Sequence, residues 1–305
     1  MARILAVLAL ALAAPLAAQD VVIDDVHVYP ESLSADRAGR LYIGSVKGVV
    51  YRTAPDGDRA EPWIRPTVEN GILSLLGVLV DEKRRTLWLC SSPMPFRTPP
   101  AVGTSSLMAF DLATGKQKAN YPFPAPTSAC NDMTVAADGS VYATDIPNGR
   151  LFVLRPGAKA LALFAQDAKL KGVDGIAFSA SGQLYVNNIQ TQQMLRVDRN
   201  KDGSFKGLTN LTLSQPINGP DGLRLIGGNR FLQVEGNGGR ATIVTITGDK
   251  AEIQVIRDGL ESSAGIAPAR GRAYVVDGKI GYLVAPALKG KEPGAFIAHA
   301  IPLPR

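Results

Sequence analysis

The chain has 305 residues, a formal net charge of +6 and 20% charged residues. It contains no run of five Lys or Arg and no interleaving of aromatic with basic residues, which argues against nucleic acid as a partner. Its only histidines are His27 and His299, both near the ends, which argues against a Ser-His-Asp triad.

The first element is a processing signal. Met1-Ala2-Arg3 is a short positive start, Ile4 to Ala14 is unbroken apolar sequence, Pro15 ends it, and Leu16-Ala17-Ala18 offers small residues for cleavage. The run is too short to span a bilayer, and no second one follows. Residues 1–18 therefore read as a signal peptide and residues 19–305 as one domain, exported to the periplasm or secreted.

The mature chain repeats. Short alternating strands centre on Tyr42, Trp88, Tyr142, Tyr185, Leu232 and Tyr274, at steps of 46, 54, 43, 47 and 42 residues. Most are preceded by a turn cluster such as Gly39, Asp138-Gly139 or Ser181-Gly182. No sustained helical periodicity is present. A period in the forties built from strands and turns predicts an all-β chain, a six-bladed β-propeller with one blade per repeat. Val21 to Val28 and Phe296 to Leu303 are expected to complete blades and close the circle, which removes exposed sheet edges.

Eleven residues before each anchor stand Glu31, Gly77, Asn131, Asp174, Asp221 and Ser263; a shorter turn in the last blade would substitute Ala264. Equivalent positions on the innermost strands ring one channel. Glu31, Asn131, Asp174 and Asp221 thus form a set of hard oxygen donors, without thiolate or imidazole. That set suits one divalent ion: calcium first, with manganese or magnesium also fitting. Three carboxylates at one mouth would repel one another unless a cation joined them. Such an ion would act as a Lewis acid in hydrolysis, with Asp221 or Asp132 as general base. Solvated acidic turns are the competing reading for Asp174-Gly175 and Asp221-Gly222. Ser45, Asp145, Asn188, Glu235 and Asp277, three residues after their anchors, are expected to rim the same mouth and touch substrate or, alternatively, to cap strand ends.

Ser91 to Ser106 is a Pro-rich insertion, expected on the mouth face as a lid or as a plain rigid loop. Cys90 and Cys130 fall in neighbouring blades on one side, as a disulfide or as two separately buried thiols. Asp198 to Gly203 resembles half a calcium loop, but Thr209 stands where the bidentate Glu belongs, so a hairpin turn is the better reading.

Tyr29-Pro30-Glu31-Ser32, Asn131-Asp132, Ala137-Asp138-Gly139, Asp174-Gly175-Ile176-Ala177-Phe178 and Pro220-Asp221-Gly222-Leu223 resemble the senescence-marker-protein/gluconolactonase family, within the paraoxonase and strictosidine synthase superfamily. The resemblance covers nearly the whole mature chain. It implies a six-bladed propeller, a divalent ion, usually calcium, on Glu31, Asn131, Asp174 and Asp221, and hydrolysis of lactones or related esters. Asp174 stands where the family more often has Asn, which adds a negative charge. The paraoxonase histidine pair has no counterpart. The expected partner is a small-molecule lactone or ester, with no nucleic acid, no membrane span and a monomer favoured. The alternatives are a non-catalytic binding propeller with a structural ion, and a metal-independent strictosidine synthase-like enzyme.

Overall fold

The computed structural model describes residues 19–95, 99–125 and 127–304. The proposed signal peptide lies outside them. The described chain is all-β: its helical content is one four-residue turn, Gly281–Val284, and three short 3-10 turns. Four sheets of four or five strands are joined by one of eight.

The strands meander. Cys130–Val135, Val141–Asp145, Arg150–Leu154 and Ala162–Gln166 form one sheet in chain order, and Val173–Phe178 begins the next. The eight-stranded sheet joins the beginning of the chain to its end. Val21–Ile23 pairs antiparallel with Phe296–Pro302 and parallel with Arg59–Ile64. The terminal strands therefore close the circle, as the alternation in those segments anticipates.

Six first strands, Pro30–Ala35, Ser74–Asp81, Cys130–Val135, Val173–Phe178, Pro220–Gly227 and Ser263–Ala269, contact one another in a closed cycle. Their register sets the site. Each has a bulge near its start, where one or two residues leave the ladder. A bulge re-aims a side chain without ending the strand.

Six hydrophobic clusters lie between successive sheets. Each anchor belongs to the cluster shared with the next unit: Tyr42 packs with Val78 and Leu89, Tyr142 with Ile176 and Val186. Burying one such side chain is worth about 1.5–3 kcal/mol. This explains why one large apolar residue recurs per period. The middle strands are buried on both faces, since each sheet is sandwiched by two neighbours.

Asn200 and Ser204 close a hairpin between Gln193–Arg199 and Phe205–Asn210. The half-motif at Asp198 is thus a turn, as its missing Glu indicates.

Candidate functional site

The bulges place the predicted donors. Glu31 sits between Pro30, paired with Ser45, and Ser32, paired with Gly44. Asn131 and Asp132 lie between Cys130 and Met133; Asp174 and Gly175 between Val173 and Ile176; Asp221 and Gly222 between Pro220 and Leu223. In the other two units the bulged residues are Leu76 and Ala264. Gly77 and Ser263 return to or precede the ladder instead. The hairpin from anchor to cross-strand partner is one residue longer in the first of these, Trp88 to Leu79, and one shorter in the second, Tyr274 to Ala267, so counting back from the anchor lands one residue late or one early. The ring is therefore polar at four positions and apolar at the two that flank Glu31.

The four donors converge. Asn131 Nδ2 donates to Asp174 Oδ1 at 2.6 Å, and the Asp221 carboxyl hydrogen-bonds that of Asp174. Asn131 and Asp174 are buried, while Glu31 and Asp221 are half-buried. Burial drives the Glu31 carboxyl well above the usual range, and repulsion from Asp174 and Asp132 adds to it; Arg224 partly offsets this. Asp221 is raised for the same reasons, burial first, then Asp174 and Glu31. Asp174 is pushed up to about 7, chiefly by burial and by Asp132. Among the described residues, no group of three or more His, Cys, Asp or Glu is arranged to hold a metal ion as it stands. The donor chemistry nevertheless fits a hard divalent cation, which would neutralise mutually repelling carboxylates.

Asp132 occupies another position. Arg224 Nη1 and Nη2 reach its two oxygens at 2.7 and 2.9 Å, and Ile176 N donates to Oδ2 at 3.2 Å. Asp132 is 3% exposed and Arg224 9%. Both Asp132 oxygens are engaged, so its geometry is that of a brace rather than of a proton acceptor at the mouth.

Further braces hold the bulges. Thr144 Oγ1 accepts from Asp132 N, and Asn187 spans Gly175 N and Asp221 O at 2.7 and 2.6 Å. The glycines beside the donors are close-approach positions: a Cβ on Gly175 would stand 2.4 Å from Asp221 O. The Asp-Gly pairs are therefore bulged strand, not solvated turns.

Ser45, Asp145, Asn188, Glu235 and Asp277 each pair with the residue that directly precedes a bulge. All are buried. Their bonds are to their own chain. Ser45 Oγ accepts from Lys47 N, Asp145 binds Ala129 N and Arg150, Asn188 accepts from Gln190 N and Thr191 N, and Glu235 binds Asn218 N and Arg240. These are strand-end caps. His299 Nε2 lies 3.1 Å from Asp277 Oδ2 and its other nitrogen faces Asp20, so this histidine reaches the rim register despite its late position in the chain.

Cys90 and Cys130 form a disulfide, Cα–Cα 5.1 Å. It joins the second strand of one sheet to the first strand of the next, one residue before Asn131. In the described part of the insertion, Ser105 Oγ accepts from Cys130 N at 2.7 Å and meets Ser92 Oγ at 2.8 Å, which ties that loop to the same point.

A model of the strictosidine synthase-like N-terminal family matches residues 15–53. Among curated proteins, none matches the chain significantly in sequence. Solved structures match closely in shape. A candidate gluconolactonase from a structural genomics consortium is 17% identical, with 94% of each chain covered and a TM-score of 0.66. A gluconolactonase from Xanthomonas campestris is 17% identical, covering 90% of this chain and 87% of that one, TM-score 0.63. Virginiamycin B lyase from Staphylococcus aureus is 13% identical, covering 84% and 94%, TM-score 0.59. The chain has the propeller fold of the gluconolactonases. The resemblance read from the short motifs thus holds at the level of fold. A propeller shared with a lyase fixes architecture and leaves chemistry to the mouth residues.

Arg224, Thr144 and Asn187 escape the sequence reading. Only Arg224 leaves a signal, a charge between Leu223 and Leu225 in a strand that must face the channel.

Proposed function

We propose that the chain is an exported six-bladed propeller that hydrolyses lactones or related esters and carries one divalent ion, calcium before manganese or magnesium. The observation that carries this reading is the meeting of Glu31, Asp174 and Asp221, three carboxyls each raised by burial and by its neighbours, with Asn131, at one mouth of a gluconolactonase-like fold. Glu31, Asn131, Asp174 and Asp221 would hold the ion. When bound, it supplies Lewis acidity toward a carbonyl oxygen.

The remaining work falls to the chain. Asp221, half-buried beside Asp174, would take a proton from attacking water once a bound cation has neutralised its neighbours. The Asp132–Arg224 pair fixes the backbone of two bulges, since Asp132 also receives Ile176 N. Leu76 and Ala264 keep the flanks of Glu31 apolar, which limits water there. The disulfide agrees with an oxidising compartment. The partner is a small molecule, the protein acts as a monomer, and among the described residues no helix is long and apolar enough to cross a membrane.

The test is metal content of the purified protein by mass spectrometry, then turnover of a panel of lactones with and without chelator. About one ion per chain and chelator-sensitive turnover are expected. No ion after calcium is supplied, or no lactone turned over, would overturn the reading.

One further reading has an observation behind it. The strictosidine synthase-like match, residues 15–53, spans Glu31. A metal-independent enzyme of that type would keep full activity in chelator, which separates the two.

A further inference from the structure

The strands that carry the donors at their beginnings open at their other ends onto a second space. A cavity of about 920 Å³ is lined by Ser34-Ala35, Leu79 to Asp81, Met133 to Ala136, Ile176 to Ser179 and Leu223 to Leu225. These are late residues of the same strands whose early residues form the donor ring, so the cavity is the opposite mouth of the channel. Its size is that of a small-molecule pocket.

Its wall is about half polar, and its apolar part carries Val135, Tyr142, Phe178 and Leu225. Its charges are unbalanced. Arg37, Lys83, Arg84 and Arg199 face three carboxylates, Asp81, Glu82 and Asp138. Those carboxylates are already engaged: Asp81 by Arg84, Glu82 by Arg37, and Asp138 by the Ser140 amide and hydroxyl. Among the described residues Lys83 and Arg199 have no carboxylate partner. The Arg199 guanidinium lies 5.4 Å from the Phe178 ring centre and donates to Gly182 O, which holds a cation beside the aromatic wall. At the floor stands Arg224. Its two terminal nitrogens serve Asp132 and the Leu223 carbonyl, but its buried Nε has no acceptor among the described residues. A buried donor without an acceptor is costly and calls for an oxygen.

We propose that this second mouth binds a small amphiphilic carboxylate, its apolar body against Tyr142 and Phe178 and its charge matched by Arg199 and Lys83. The Arg224 side chain links the cavity to the brace behind the donor bulges, since one guanidinium touches Asp132 and lines the cavity. The site does not depend on metal or on turnover at the first mouth.

The probe is octanoate, titrated calorimetrically into the mature protein, with octylammonium and octanamide as cationic and neutral controls. One equivalent of octanoate should bind, more tightly than either control and more weakly as salt is raised. Arg199→Gln should weaken octanoate by about five-fold while leaving octanamide unchanged. Ala180→Trp, at an exposed position on the rim, should block all three. Circular dichroism should show both variants folded. Failure of octanoate to bind at millimolar concentration would overturn the proposal. So would equal binding of octylammonium, or octanoate affinity unchanged in both variants.

Discussion

Arg224 holds Asp132 in a two-pronged grip, at 2.7 and 2.9 Å, from a strand two sheets further along the ring. The pair is buried, and Asp132 passes the contact on to Ile176 N in the sheet between. Three units are thus locked at the level of the donors. Arg224→Met should leave an uncompensated buried carboxylate and cost about 3–5 kcal/mol. Asp132→Asn in the same chain should recover part of that loss. Urea unfolding of the two single variants and the double would measure the coupling, and strictly additive losses would contradict it.

The Asp221 carboxyl is the proposed acceptor of the water proton. Asp221→Asn keeps the shape and an oxygen donor but removes the charge. Turnover of any lactone substrate should fall on the order of 100-fold or more. Asp132→Asn alone should act mainly through stability, with a smaller change in kcat at temperatures where it is folded. Equal kcat losses in both would return Asp132 to the role of base.

Gly175 allows the Asp174 strand to reach the Asp221 strand. A methyl at Gly175 would meet Asp221 O at 2.4 Å and Leu223 at 2.8 Å. Gly175→Ala should cost about 1–3 kcal/mol and weaken calcium binding, because it separates two donors. Calorimetric calcium titration would read this directly. Unchanged affinity in a folded variant would show that Asp174 and Asp221 do not share an ion.

Stability should depend on pH in an unusual direction. The folded pKa of Asp174 is about 7, above its ordinary value of about 4, so the folded state holds protons that the unfolded chain has released. The contribution is complete below about pH 4 and is lost as pH rises through about 7. Glu31 and Asp221 shift in the same sense. In chelator, Tm should be lower at pH 8 than at pH 5, and calcium should raise it more at pH 8. A metal-free Tm that rises steadily from pH 5 to 8 would contradict the proton-held cluster.

The Cys90–Cys130 bridge closes a separation of 40 residues. Its removal by Cys90→Ala with Cys130→Ala should cost about 2–4 kcal/mol. Calcium affinity should fall too, because Cys130 precedes Asn131. If affinity holds while stability drops, the bridge supports the sheets alone.

Much of this was legible in the sequence, for reasons that particular residues make plain. Tyr42, Trp88 and Tyr142 each fill one space between sheets, so a regular structure forces a regular spacing. Glu31, Asn131, Asp174 and Asp221 inherit that spacing because they sit in bulges of equivalent strands. Leu76 and Ala264 were displaced by one in the count, since turn length varies independently of strand register. The capping of Asp145 by Arg150 and the Asp132–Arg224 pair were not legible as such. An isolated Arg and a run of polar strand-end residues carry no mark of which partner they will meet across the ring.

The pairing of Val21 with Ala298 has a consequence for how the molecule is made. In a growing chain Val21–Ile23 can dock on Arg59–Ile64 early, but its other partner, Phe296–Pro302, follows every other described strand. Until then the molecule is an open arc with two raw sheet edges, vulnerable to pairing with other chains. A clamp built from these two strands acts as a completion check: a chain cut short before Phe296 leaves the second edge of Val21–Ile23 open.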